Sequence, residues 1–206
     1  MKILRHAINK ALYRLLLTMA EILTAKFEVH GVRVFIPSNG TLDDEGRARD
    51  VAAKITAAME LIAAVDHRRH ARLLSDVRRI LLIPVGGPEY RPPIRAIIMG
   101  VNWVSANPVE KLAMAIVHEA CHARIGTRGI RTVHANLSRI EHRCVAEEIA
   151  FARRLPGAQE LVSSAIAALG TKWWEPERAE ARRDRDMRAM GASETFVRFG
   201  RWLRRH

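Results

Sequence analysis

The chain has 206 residues and is 49% hydrophobic, enough for one domain with a sizeable core, which excludes global disorder. Only two cysteines, Cys121 and Cys144, exclude a disulfide-stapled fold and favour a reducing, cytoplasmic setting. A formal charge of +12 favours an acidic partner or an anionic membrane surface, while 5% aromatic residues and no recognisable motif argue against a nucleic-acid binder.

The stretch up to Lys26 reads as an amphipathic helix. Arg5, Lys10, Arg14 and Glu21 interrupt its apolar residues, so it falls short of the roughly 18–20 residues of a spanning helix. "KFEVHGVRVFIP", residues 26 to 37, alternates on both sides of His30-Gly31 and predicts a short hairpin or a bulged strand. "SNGTLDDEG" is a turn and a helix start. Ala48, Val51, Ala52, Ile55, Ala58, Met59, Ile62 and Val65 then recur at helical spacing. "DHRRH", residues 66 to 70, reads as a surface helix end whose arginines would repel a cation from His67 and His70. "RRILLIPV" predicts a buried strand, "GGPEYRPP" a loop, and "IRAIIMGVNWVS" a strand with a bulge at Gly100.

Asn107-Pro108-Val109-Glu110 has the form of a helix start, with Asn107 as N-cap, and Gly126 is a natural stop. A second helix is predicted from about Ser138 to Leu155 and a third over about 158 to 169, followed by a charged, mostly helical tail. In "ETFVRFGRWLRRH", Phe196, Phe199 and Leu203 share one side. That pattern fits a terminal helix docked on the domain, or an interfacial helix peripheral to an anionic membrane. The order of elements predicts an α+β fold with one small sheet.

The chemistry lies in "AMAIVHEACHARIG", residues 113 to 126. His118 and His122 are four apart, so a helix carries both on one face, where two imidazoles can hold one metal ion. Glu119 projects beside that face. It can take a proton from a water activated by the ion without ligating the ion itself, which is why His-Glu-x-x-His supports hydrolysis. The apolar prefix predicts a buried helix, where an unpaired glutamate would be costly.

"VHEACHARI" resembles the active-site helix of the zincin metallopeptidases, and "RIEHRCVAEEIAFARRLP" resembles the second helix of their gluzincin branch. The resemblance covers about residues 94 to 155. It does not extend to the N-terminal helix or the tail. It implies a zincin-like fold, with a small mixed sheet packed on an active-site helix and a second ligand-bearing helix, and with the N-terminal amphipathic helix the domain is expected to span 1–170. Residues 171–206 would form a basic helical extension. It also implies zinc, a peptide or protein substrate, Glu119 as general base, and a glutamate as third ligand beside His118 and His122. Residues after His122 depart from the continuation seen in metzincins.

Glu141, 19 residues after His122, is the expected third ligand, and Glu141, Cys144 and Glu148 share one helical face. Glu148 would then accept a histidine N–H. A competing reading makes Glu141 the partner of Ser138 in a capping box, leaving Glu148 or Glu147 to ligate, with His134 a further candidate. For the transition-state oxyanion, His134, Arg128, Arg131 and Tyr90 are candidate donors. Zincins bind substrate along a strand edge, which points to "IRAIIMGVNWVS", with Asn102 and Trp103 near the cleft. The alternative is a catalytically inactive metal-binding regulatory protein on the same core.

Overall fold

The computed structural model describes residues 24–37, 42–84, 86–189, 191, 193–195 and 197–198. The expected N-terminal helix, and Phe196, Phe199 and Leu203 of the tail, lie outside the described residues. The fold is α+β, with a five-stranded mixed sheet and seven α-helices among the described residues.

Strands β1 (Thr24–Val29) and β2 (Val32–Pro37) form the antiparallel hairpin that the alternation predicts. His30 and Gly31 both take positive φ, 51° and 81°, as a two-residue turn between twisted strands requires. Helices α1 (Leu42–Val65) and α2 (His67–Asp76) cross back to β3 (Arg79–Ile83), which runs parallel to β2. β4 (Glu89–Arg91) and β5 (Ala96–Gly100) follow, and the order across the sheet is β1-β2-β3-β5-β4.

Two expectations about this region are corrected. "GGPEYRPP" contains the edge strand β4, and β5 lies inside the sheet, parallel to β3 on one side and antiparallel to β4 on the other. β5 also stops at Gly100. Its last partner is Ile83, the next residue there is Pro84, which has no N–H to extend a ladder, and the Gly100 N–H bonds the Gly86 carbonyl at 2.8 Å. "VNWVSA" is therefore helix α3 (Val101–Ala106), not strand.

Helices α4 (Val109–Thr127) and α5 (His134–Ala152) form the closest helix pair, followed by α6 (Gln159–Thr171) and α7 (Pro176–Ala189). Asn107 does not cap α4. Its side-chain N–H donates back to the Trp103 carbonyl at 2.7 Å, and Pro108 is the capping position. The helix passes Gly126 and ends before Gly129, whose φ of 78° suits glycine. α5 starts a turn earlier than Ser138, because the Asn136 side-chain carbonyl accepts the Val133 N–H at 2.9 Å and closes that end.

The α1 face predicted from spacing is the buried one, from Ala48 through Ile62, with Val65 half-buried against it. α4 is buried on every side from Leu112 to Glu119 because α1, α2, α5, β4 and β5 surround it. Truncating a side chain such as Ile116 there would cost about 2–5 kcal/mol. A bridge below the site ties the helices together. Asp66 caps α2 by accepting the Arg69 N–H at 3.1 Å and pairs with the Arg69 guanidinium, which also donates to Glu147 of α5 at 2.7 Å. No described helix is long and apolar enough to cross a membrane.

Candidate metal centre

One turn of α4 separates His118 from His122, and their Nε2 atoms lie 3.2 Å apart. α5 packs across them and delivers Glu141 between the two rings. Its Oε2 is 3.5 Å from His118 Nε2 and its Oε1 is 3.5 Å from His122 Nε2. Ligands about 2.0–2.1 Å from a tetrahedral ion stand about 3.3 Å from one another, and each of these contacts, two of them through different Glu141 oxygens, is close to that spacing. The sulfur of Cys144, one turn after Glu141, is within 4.8 Å of both histidine nitrogens. His118, His122 and Cys144 could hold a metal ion.

The charge balance also fits a cation. Glu119, Glu141 and Glu148 surround two imidazoles in a site where His118 and Glu141 are each 8% exposed and Glu119 5%. Burial opposes a charge on His118, but bonds to Glu141 and Glu148 and the Glu119 charge raise it to about 10. Burial likewise works against the Glu141 carboxylate, and the two histidines bring it down to about 2. His122 is also raised, by Glu141 and Glu119 against burial. In each case the carboxylates hold a positive charge where an ion would sit.

Glu148 Oε2 is 3.1 Å from His118 Nδ1, which leaves Nε2 facing the shared point. Glu119 accepts the Tyr90 backbone N–H at 2.7 Å, so edge strand β4 aims the carboxylate. Burial raises the Glu119 pKa, only partly offset by His118 and His122. Cys121 of α4 and Cys144 of α5 influence each other's titration. Their proximity raises Cys144, with burial, and lowers Cys121.

Glu141 sits mid-helix, so the capping-box reading is overturned. Glu147 pairs with Arg69 and Arg143, both at 2.7 Å, and turns away from the histidines, so it is not an alternative ligand. His134 is the first residue of α5, and its side chain lies outside the described residues. Asn102 and Trp103 ride on α3 and do not line the cleft. Tyr90 lines the cleft, and its backbone N–H donates to Glu119; burial raises the pKa of its hydroxyl. Arg128 lines a different pocket, whereas Arg131 lines the cleft. His67 is exposed and His70 packs edge-on to His30, away from the cluster.

The cleft encloses about 630 Å³ between β4, the loop after α4, and α7. Sequence reasoning missed its aromatic wall. Trp173 lies 6.3 Å from His118, ring centre to ring centre, and stacks edge-on against Trp174, which meets His142 at 5.3 Å. Adjacent tryptophans in an aromatic-poor chain were the available signal. Arg182 and Arg183 of α7 line the same cleft, so part of the segment after residue 170 helps to build it. Compared with known proteins, the chain matches no protein-family model, no curated protein and no solved structure.

Proposed function

We propose that the protein is a zinc-dependent peptidase of the zincin kind, with His118, His122 and Glu141 holding the ion and Glu119 as general base. The observation that supports this reading is the convergence of His118 Nε2, His122 Nε2 and the two Glu141 carboxylate oxygens within 3.2–3.5 Å contacts, with Glu119 beside them. Zinc, when bound in such a site, supplies Lewis acidity that makes a water acidic near neutral pH. The chain's own residues do the rest. Glu119, raised by burial, takes a proton from the attacking water and passes it to the leaving nitrogen. The Tyr90 N–H keeps that carboxylate pointed into the cleft, and Glu148 holds the His118 ring. Trp173 and Trp174 give a dry wall. Arg131 and Arg182 add positive charge for a substrate segment that carries carboxylates.

The test is metal analysis paired with a peptide library. Wild type should hold about one zinc per chain and cleave; Glu119→Gln should hold the same zinc and cleave nothing. Absence of zinc from both the purified and the zinc-soaked protein overturns the reading.

Cys144 supports a second reading. A thiol this close to the histidines could close a His₂-Glu-Cys shell and leave no open position, as in structural zinc sites. The protein would then be a metal-stabilised binding or regulatory module. Sulfur in the zinc shell by X-ray absorption, with no cleavage of the library, favours this second reading over the first.

A further inference from the structure

A second pocket opens between α2, α4 and α5 and encloses about 140 Å³. Its floor is apolar, from Leu73 on α2 and Val117 and Ala120 on α4. Its mouth is basic: five arginines border it against one acid, Glu147, a formal excess of four positive charges. Three of the five are occupied. Arg69 and Arg143 share Glu147, and Arg124 reaches Asp76 at 3.8 Å. The side chains of Arg72 and Arg128 have no acidic partner among the described residues.

Two uncompensated cations over a small apolar hollow call for a ligand with both characters. A cavity of about 150 Å³ lined by apolar side chains admits a molecule the size of benzene. Inorganic phosphate meets only the arginines and finds no partner on the apolar floor, whereas an acid with an apolar body uses both parts of the pocket. We propose that this pocket binds a small organic acid, with an apolar body of about phenyl size on Leu73 and Val117 and one carboxylate between Arg72 and Arg128. The site does not depend on the peptidase reading. It shares α4 with His118 and His122 but opens on a separate cavity, and Cys121 lines it.

The test uses the full chain as purified and phenylacetate as probe. Calorimetry should give saturable 1:1 binding, while 2-phenylethanol, which lacks the charge, and acetate and inorganic phosphate, which lack the apolar body, bind at least about tenfold more weakly. Arg72 and Arg128 are exposed, so Arg72→Ala/Arg128→Ala should fold as wild type and lose at least about tenfold in phenylacetate affinity. Phenylacetate should also slow alkylation of Cys121 by iodoacetamide, read by mass spectrometry, which separates this pocket from the metal cleft. The proposal is overturned by no saturable binding up to about 10 mM. Undiminished binding to the double variant, phosphate or acetate matching phenylacetate, or binding that leaves Cys121 unprotected overturns it equally.

Discussion

Glu148 and His118 are joined by a single contact, Oε2 to Nδ1 at 3.1 Å, between the two helices that build the site. A carboxylate in this position fixes the ring tautomer and its direction. Glu148→Gln should therefore keep the fold and still bind zinc, with affinity lower by about 10–100-fold. Competition with a chelator of known affinity measures it. Unchanged affinity would mean that the contact does not orient the ligand.

Glu141 and Glu147 make a matched pair of tests. Glu141 stands between the histidines, and Glu147 is turned to Arg69 and Arg143. Glu141→Ala should purify without stoichiometric zinc. Glu147→Ala should retain about one zinc per chain and lose only stability. Metal content of the two variants side by side reads this directly.

Zinc uptake should release protons. In the metal-free protein His118 is raised to about 10, so the stability its charge contributes is complete below its unfolded value of about 6.5 and is lost as pH rises through about 10. A ligating imidazole must be neutral, so binding at pH 8 should displace about one proton or more per zinc. A pH-stat titration counts them, and zero release would contradict a histidine ligand at this position.

Asp66 contributes to the acid limb of stability. Burial works against its charge, but the Arg69 N–H and guanidinium and the Arg154 charge hold its carboxyl below the usual range. A depressed folded value means that this contribution is complete above about pH 4 and is lost as pH falls through the folded value. Asp66→Asn should cost about 1–3 kcal/mol at neutral pH. Its difference from wild type should shrink between about pH 4 and 2, followed by denaturant midpoints across that range.

Arg131 and Arg182 face the cleft. If the cleft takes peptides, Arg131→Glu/Arg182→Glu should shift cleavage from acidic toward basic segments of a library, with zinc content unchanged. An unaltered sequence preference would place the selectivity elsewhere in the cleft.

What the sequence determined by itself was local. His-Glu-x-x-His at helical spacing, the apolar face of α1, the His30-Gly31 turn and the shared face of Glu141, Cys144 and Glu148 all follow from backbone periods of 3.6 and 2. Helix ends were less legible. Asn107 turned its side chain back to Trp103, and Asn136 started α5 a turn early, because cap hydrogen bonds depend on which neighbour is nearer in space. Only the tertiary structure chose among the glutamates. Glu141 and Glu147 are six residues apart on one helix, and the roll of α5 against α4 decides that one meets the histidines while the other meets Arg69. The same holds for the edge strand. β4 is three residues in a Gly- and Pro-rich stretch, too short to show a period, and β5 supplies the ladder that makes it a strand. Through that pairing the Tyr90 N–H reaches Glu119, and packing of the chain after α6 brings Trp173 to His118. Both contacts join residues dozens of positions apart, which no local pattern encodes.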